Sequence, residues 1–327
     1  MAKPHIWLDF PIHHEALRVL SEGAEVSGPF PKLDAPEAWL ALAEADGAVI
    51  SSRPKCDGAW MDRAPRLRVL ARSGIGYDNV DVEAATKRGI CLVNTPEAPT
   101  EPTAEQAITF ILMLARRIKE SDRALSEGRW LSRPQLEGTE LLGKTLGVIG
   151  LGRIGGRVSE VFSRGLKMRV IAYDPYISDD RFPAKGAEKV SPLSELLRQA
   201  DFVTMHCPAT SETRGMANRE FFAKMKRGSY FVNTARGAVM VEADLFQALK
   251  SGYLSGAALD VFEEEPTSSE NPLLRLPNVV LSPHTASNSV EGNWRMNIGA
   301  VTQVLEIMQD RRPQWLVNAE VWATRRR

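Results

Sequence analysis

The sequence alternates short apolar runs with longer stretches in which apolar residues recur at helical spacing. In the first hundred residues the apolar runs are 6–10, 47–51, 68–71 and 90–93. Alternation of strand-like and helix-like segments is typical of a parallel sheet covered by helices. A proline-rich segment at 94–102 follows the fourth run, and it predicts the crossover into a second domain.

From residue 145 the same pattern repeats over a longer stretch. The further strands are predicted near 145–149, 169–173, 202–205, 229–233, 255–259 and 279–281. A last helix at about 289–309 is expected to return to the first domain. The sequence therefore predicts an α/β protein with two doubly wound parallel-sheet domains, residues 1–98 with 289–327 and residues 99–288. Because such a chain crosses twice between domains, we expect an interdomain cleft that closes by hinge motion.

The predicted helix at about 103–120 is apolar over much of its circumference rather than along one stripe. One sheet cannot bury every side of such a helix. A core helix of a large protein and a contact between two copies of the chain both fit the pattern. The position beside the domain crossover favours a homodimer.

Charge and cysteine usage limit the class of protein. The 41 basic and 41 acidic residues give a formal net charge of zero, so no overall field favours nucleic acid or a membrane surface. The longest markedly apolar run, 108–115, is too short to cross a membrane, and we expect a cytoplasmic protein without a signal peptide. Cys56, Cys91 and Cys207 fit neither a disulfide framework nor a metal motif, and the five histidines form no clustered ligand set. No metal is expected.

A glycine-rich turn follows the first predicted strand of the second domain. Gly150, Gly152 and Gly155 have the spacing G-x-G-x-x-G and open the next helix. The first glycine permits a tight turn, the second lets a pyrophosphate approach the backbone, and the third lets the helix pack closely on the sheet. Because a helix N-terminus offers unpaired N–H groups to a phosphate, this unit is predicted to bind a dinucleotide.

Asp174 ends the next predicted strand, where a carboxylate can accept hydrogen bonds from an adenosine ribose. A 2′-phosphate beside this carboxylate would be repelled, for two unit charges about 4 Å apart, by roughly 1 kcal/mol in water and about 4 kcal/mol at an effective dielectric of 20. The sequence therefore favours NAD over NADP.

A second Gly-x-Gly turn, at Gly74 and Gly76, provides an internal comparison. Asn79 occupies the place of its third glycine, and the following strand ends in neutral Asn94. We therefore interpret this first unit as an α/β layer without a dinucleotide site.

Three residues that follow strands in the second domain are candidates for catalysis. A nicotinamide dehydrogenase must polarise a carbonyl and supply or accept one proton. Arg236 could clamp a carboxylate and a carbonyl through its guanidinium. Glu265 and His284 follow the next two strands, where a paired carboxylate would stabilise an imidazolium and keep a proton donor available near neutral pH. On spacing alone, a surface ion pair, a solvated acidic run and an ordinary turn histidine remain the alternatives.

Taken in order, these segments resemble the D-isomer-specific 2-hydroxyacid dehydrogenase family over nearly the full length of the chain. The sequences that carry the resemblance are 71–81, Gly150 to Gly155, His206-Cys207-Pro208 with Thr213, Asn233-Thr234-Ala235-Arg236-Gly237, 256–262 through Glu265-Pro266, and Ser282-Pro283-His284. The resemblance implies a flavodoxin-like substrate-binding domain, a Rossmann nucleotide-binding domain, NAD as cofactor, a small 2-oxo or 2-hydroxy acid as substrate, and a homodimer.

The resemblance also implies roles for individual residues. Arg236, Glu265 and His284 would form a catalytic triad at the interdomain cleft. The backbone at Ser73, Gly74 and Ile75 would receive the substrate carboxylate. The cofactor-binding residues that it implies are Gly150, Gly152, Arg153, Ile154, Gly155, Asp174, Cys207, Pro208, Thr213, Thr234, Ala235, Asp260 and Thr103.

The expected reaction in the reducing direction is hydride transfer to the keto carbon of a 2-oxo acid, with His284 protonating the forming alkoxide. Some reductases of the family prefer NADP and lack an acid at the end of the second strand, whereas this chain has Asp174. An NAD-sensing regulatory protein, similar to the corepressor branch of the family, is the alternative. The presence of all three candidate catalytic residues favours an enzyme.

Overall fold

The computed structural model describes residues 3–327. The first two residues, which the predicted first domain includes, lie outside the described residues. The chain divides into two compact units. The first unit ends at Pro99 and takes up Asn288–Arg327, and the second comprises Thr100–Ser287.

The strands are short and follow one another along the whole chain. In chain order they are β1 (His5–Leu8), β2 (Glu25–Ser27), β3 (Gly47–Ile50), β4 (Val69–Arg72), β5 (Cys91–Val93), β6 (Thr145–Ile149), β7 (Arg169–Tyr173), β8 (Glu188–Lys189), β9 (Phe202–Met205), β10 (Tyr230–Asn233), β11 (Gly256–Leu259) and β12 (Val279–Leu281).

Helices separate most of these strands. In chain order they are α1 (His14–Gly23), α2 (Pro36–Ala43), α3 (Gly58–Asp62), α4 (Val82–Lys87), α5 (Thr100–Ala115), α6 (Ile118–Ser126), α7 (Arg153–Glu160), α8 (Arg181–Ala184), α9 (Leu193–Gln199), α10 (Arg219–Lys224), α11 (Glu242–Lys250) and α12 (Val290–Met308).

The first unit is a parallel sheet in the order β2-β1-β3-β4-β5. This is the flavodoxin-like order of doubly wound folds. Successive residues of β4 face opposite sides, so that Leu70 and Val69 belong to different buried clusters. The predicted last helix is confirmed as α12, whose first turn is capped by the Ser289 hydroxyl, which accepts a hydrogen bond from the Gly292 amide at 2.9 Å. It packs on β3, β4 and α1.

The second unit is a seven-stranded parallel sheet in the order β12-β11-β10-β9-β6-β7-β8. From β6 the chain first builds outward through β7 and β8, and then returns to place β9 on the other side of β6. This is the strand order of a Rossmann fold with one additional strand, and the reversal lies at β6. Ligands of open α/β sheets bind at the carboxyl ends of the strands at such a reversal.

The predicted single helix at 103–120 is wrong in one respect, because the structure breaks it near its C-terminal end. The structure ends α5 at Ala115 and begins α6 at Ile118, because Arg117 adopts a left-handed backbone with φ 50°. The broad apolar surface of α5 is largely used within the unit, since Phe110, Ile111 and Leu114 are buried and the helix packs on both α7 and the sheet. Within residues 3–327, no helix is long and apolar enough to cross a membrane.

Candidate active site

The turn between β6 and α7 has the backbone that its glycines were predicted to allow. Gly150 has φ 87°, and a Cβ added there would lie 2.9 Å from the backbone nitrogen of Cys207. A Cβ on Gly155 would lie 2.0 Å from the carbonyl oxygen of Gly150. At Gly152, by contrast, an added Cβ would have no described atom within 4 Å. The turn is therefore closed where the protein packs on itself and open where a phosphate would approach the helix N-terminus.

Asp174, directly after β7, forms one side of the crevice above this turn. Its Oδ2 accepts a hydrogen bond from the Leu151 amide at 2.9 Å, and its Oδ1 accepts one from the Tyr176 amide at 3.0 Å. The carboxylate is thus fixed against the glycine turn while remaining partly accessible. A fixed acceptor at this position suits the hydroxyls of an adenosine ribose.

The loop after β9 forms the other side of the crevice. The Thr213 hydroxyl donates to the Pro208 carbonyl at 2.5 Å and accepts from the Thr210 amide at 2.8 Å, so it holds this loop in shape. Burial, together with the nearby Asp174 charge, raises the pKa of the Cys207 thiol to about 11. Because a neutral thiol is a weak nucleophile, Cys207 contributes an apolar wall rather than reactivity.

The other predicted cofactor residues lie around the same edge of the second unit. Arg153 and Ile154 begin α7, and Thr103 is buried near the start of α5, which packs on α7. Thr234 is buried directly after β10, and its hydroxyl has no hydrogen-bond partner among residues 3–327. Since buried hydroxyls are nearly always paired, this unpaired group, together with the open space at Gly152, fits a bound dinucleotide.

In the segment after β10, Arg236 is held in place by Asn233, a residue for which the sequence predicted no separate role. Asn233 is buried, and its Oδ1 accepts from the Ala235 amide at 3.0 Å while its Nδ2 donates to the Arg236 carbonyl at 2.9 Å. The Arg236 guanidinium donates to the Ala235 carbonyl at 2.7 Å. Asn233 therefore fixes the turn that presents both Ala235 and Arg236 at the carboxyl edge.

Glu265 and His284 are in contact, as their positions after adjacent strands predicted. The Nδ1 of His284 lies 2.5 Å from Oε2 of Glu265, and Oε1 of Glu265 accepts from the Phe262 amide at 3.0 Å. Burial by itself would raise the pKa of the Glu265 carboxyl. The hydrogen bonds from His284 and Phe262 and the positive charge of Arg236 outweigh burial, and the pKa is lowered. The carboxylate is therefore ionised at neutral pH and close enough to Arg236 to respond to its charge.

Asp260 holds the loop that carries His284. The carbonyl of Asp260 accepts from the His284 amide at 2.7 Å, and its buried carboxylate accepts from the amides of Thr285 at 2.8 Å and Ala286 at 2.9 Å and from the Ser282 hydroxyl. The resemblance implied that Asp260 contacts the cofactor. In the structure both carboxylate oxygens bind the histidine loop, so Asp260 fixes the position of His284, and its contact with the cofactor stays a prediction.

The predicted substrate loop lies in the first unit, after β4. The Ser73 amide donates to the Ile50 carbonyl at 3.0 Å, and the Gly74 amide donates to the Thr95 hydroxyl at 2.9 Å. The Ser73 hydroxyl accepts from Asn297 at 2.8 Å. Two of the three amides already donate within the unit. We therefore expect the amide of Ile75 to be the one that is available to a substrate carboxylate.

Gly237 lies where the Arg236 turn meets the segment that leads to Glu265. A Cβ at this position would lie only 1.7 Å from the carbonyl oxygen of Phe262. Gly237→Ala should therefore push the two segments apart and lower the free energy of unfolding by about 1–3 kcal/mol, as measured by urea denaturation. Gly165→Ala, which adds a methyl with no described atom within 4 Å, is the matched control. Equal stability of the two variants would contradict the close approach.

The side chains that could ligate a metal do not cluster among residues 3–327. Across the described part of the chain, no group of three or more His, Cys, Asp or Glu side chains is placed to hold a metal ion. The one histidine close to the nucleotide turn, His206, has its pKa lowered to about 3 by burial and contacts the Thr204 hydroxyl at 3.0 Å. It is therefore neutral and serves the packing of β9.

Known proteins with similar sequences belong to one class of dehydrogenases and reductases. Residues 108–286 match the model of the D-isomer specific 2-hydroxyacid dehydrogenase NAD binding domain. The chain is 39% identical over 326 residues to glyoxylate reductase from Korarchaeum cryptofilum, covering 98% of this chain and 97% of that protein. It is also 39% identical over 308 residues to D-3-phosphoglycerate dehydrogenase from Methanocaldococcus jannaschii, covering 94% of this chain but 58% of that protein.

A solved structure extends the similarity to the fold. The NADPH-dependent glyoxylate/hydroxypyruvate reductase from Sinorhizobium meliloti, in complex with NADP and malonate, superposes with a TM-score of 0.85 at 30% identity. The match covers 100% of this chain and 99% of that one. The fold of this chain is thus similar to that of a solved reductase, and the relatives differ from one another in the substrate and cofactor that their names give.

Proposed function

Since the chain belongs to the D-isomer-specific 2-hydroxyacid dehydrogenase family, we propose that it interconverts a small 2-oxo acid and the corresponding D-2-hydroxy acid with NAD as cofactor. The observation that carries this proposal is the contact between His284 and Glu265 at 2.5 Å, close to the charge of Arg236. The neighbouring strands β10, β11 and β12 each supply one of these residues at their carboxyl ends.

The roles of the three side chains follow from their chemistry. Bound NADH supplies the hydride that reduces the keto carbon. The planar guanidinium of Arg236 binds the substrate carboxylate and polarises the carbonyl. Protonated His284 donates a proton to the oxygen that gains negative charge. The ionised Glu265 stabilises the imidazolium and orients its ring.

The cofactor residues divide by the part of NAD that they would contact. Gly150, Gly152 and Gly155, with Arg153 and Ile154, would border the pyrophosphate at the N-terminus of α7. The adenosine would lie between Asp174 and the loop of Cys207, Pro208 and Thr213. The unpaired hydroxyl of Thr234, with Ala235 and Thr103, would meet the nicotinamide end. Open α/β sheets bind such ligands at the carboxyl edge where the strand order reverses, which supports this placement.

The test is a panel of 2-oxo acids assayed by NADH oxidation at 340 nm. We propose glyoxylate, hydroxypyruvate, pyruvate, phenylpyruvate and phosphohydroxypyruvate, with chiral analysis of each product. Turnover of at least one acid to its D-2-hydroxy product is the expected result. NADH binding without turnover of any acid would instead favour a regulatory NAD sensor.

Glu265→Gln should change the pH dependence of reduction as well as its rate. Glutamine preserves a hydrogen-bonding group beside His284 but removes the negative charge that favours the imidazolium. Because reduction consumes the proton of His284, loss of this charge should move the alkaline limb of kcat/KM for reduction to lower pH. A pH profile from 5.5 to 9.5 measures this shift. Parallel profiles that differ only in height would contradict the charge-based role.

We also propose that a second copy of the chain covers an apolar surface on residues 112–142. Its exposed side chains are Leu112 at 37%, Ile118 at 48%, Leu125 at 62%, Trp130 at 88% and Leu142 at 68% of their full exposure. Large apolar side chains that stay exposed in one segment of the chain are typical of a protein interface. Sedimentation should give a dimer for the natural chain and a smaller species for Leu125→Glu with Trp130→Glu. A monomeric natural chain would reject this interface.

A cytoplasmic location is the companion proposal. Cys56, Cys91 and Cys207 are free thiols, and the first two are buried. Free cysteines of this kind suit a reducing compartment. Fractionation of cells that produce the protein tests the location.

A further inference from the structure

A side-chain contact joins the two walls of the proposed adenosine crevice at their outer edge. The hydroxyl of Tyr176 donates a hydrogen bond to the carboxylate of Glu212. Tyr176 follows Asp174 by two residues on the β7 side, and Glu212 directly precedes Thr213 in the loop after β9. Tyr176 is 75% exposed, and Glu212 is exposed as well. The contact is therefore part of the crevice rim and not of the core.

The same turn holds both carboxylates. The Tyr176 amide donates to Asp174 at 3.0 Å, while the Tyr176 hydroxyl binds Glu212. Because the partner of Glu212 is a neutral hydroxyl, the contact orients the negative charge without neutralising it. The opposite wall is tied to the glycine turn, since Gly150 packs against Cys207. Two fixed acids thus border the region where the adenosine ribose is proposed to bind.

We propose that Glu212, oriented by Tyr176, is a second acidic determinant of NAD over NADP, acting together with Asp174. This inference depends on the proposed binding of adenosine in the crevice. A ribose 2′-phosphate would approach Asp174 directly and would also experience the charge of Glu212 from the facing wall. The solved relative that binds NADP shows that this fold can accept the phosphate, so local charge is a sufficient basis for discrimination.

The expected size of the effect follows from its exposed position. Repulsion between the Glu212 charge and a phosphate in a water-accessible site should change affinity by about three- to tenfold. Salt screens such a charge, because the Debye length falls from about 30 Å at 0.01 M to about 3 Å at 1 M. The contribution of Glu212 should therefore be large at low ionic strength and small at high ionic strength.

Calorimetric titration of the purified full chain with NAD⁺ and with NADP⁺ tests the proposal without requiring turnover. The readout is the ratio of the two Kd values. Glu212→Gln should shift this ratio about three- to tenfold toward NADP⁺ at low salt and less than about twofold at 0.5 M salt. Tyr176→Phe should shift it less, because the acid is then mobile but still charged. Glu195→Gln, which removes a surface carboxylate that binds Arg198, is the charge-matched control.

Asp174→Asn separates failure of this inference from failure of the proposed site. If Asp174→Asn shifts the ratio and Glu212→Gln behaves like Glu195→Gln, the adenosine site stands and the role of Glu212 is rejected. If neither variant shifts the ratio, the placement of adenosine in the crevice is itself rejected. If Tyr176→Phe and Glu212→Gln shift the ratio equally at both salt concentrations, the hydrogen bond between the two side chains, rather than the charge of Glu212, controls specificity. The inference then fails.

Discussion

Replacing His284 with alanine should lower kcat for reduction of the 2-oxo acid by roughly a hundred- to ten-thousandfold, the usual contribution of a general acid. The expected loss follows from the contact of His284 with an ionised Glu265, since the imidazole is the proton donor of the proposed triad. NADH affinity should change little, because the nucleotide crevice is built from β6, β7 and β9. Stopped-flow reduction and fluorescence titration of NADH measure the two effects.

A second variant at position 284 is needed, because alanine would also disturb the backbone there. His284 has φ 53°, a left-handed conformation that costs alanine about 1–2 kcal/mol and that asparagine tolerates better. His284→Asn should therefore retain the shape of the loop held by Asp260 and still lose the same factor in kcat. If the asparagine variant were nearly as active as the natural chain, the loss in alanine would reflect loop distortion, and the proton-donor role would be rejected.

The central strands could be predicted from the sequence because each is a short apolar run that is buried on both faces. β6, β7 and β9 lie within one residue of their predicted bounds. β2 and β8 were not predicted, since Glu25–Ser27 and Glu188–Lys189 are short, polar strands that lie at the edges of their sheets. Such edges are formed by pairing with a neighbour rather than by a local apolar pattern.

The helix break at Arg117 could not be predicted from the sequence, for a different reason. No glycine or proline marks it in the sequence, and the left-handed residue is stabilised by contacts distant along the chain. The Arg117 guanidinium binds the adjacent Glu120 and also donates to the Gln135 carbonyl at 2.8 Å. Because the second partner is supplied by the tertiary structure, helix periodicity alone could not place the break.

Parts of the candidate site could be predicted because strand order brings certain loop positions together. The loops that follow β10, β11 and β12 share one sheet edge, so Arg236, Glu265 and His284 could be grouped once neighbouring strands were assumed. The supporting groups were harder to predict. Asn233 and Asp260 act through hydrogen bonds to backbone amides and carbonyls, and the identity of the accepting backbone group depends on the folded turn.

Arg236→Lys should lower kcat/KM for the 2-oxo acid by about a hundred- to a thousandfold, comparable to the loss of one preorganised donor to a developing oxyanion. Lysine keeps the positive charge but cannot reproduce the planar fork that binds a carboxylate and a carbonyl together. A single ammonium group should bind the substrate more weakly and polarise its carbonyl less, so KM should rise while kcat falls. Steady-state kinetics with the best acid from the panel separate the two parameters.

Arg227→Lys is the matched control, because Arg227 is an exposed cation just before β10, at the end of the strand opposite Arg236. The two substitutions make the same chemical change at opposite edges of one sheet, and only the one at the carboxyl edge should affect catalysis. Retained kcat/KM in Arg236→Lys would show that charge alone is sufficient and would reject the bidentate clamp. A rise in KM with unchanged kcat would confine Arg236 to binding, because polarisation of the carbonyl must also affect the chemical step.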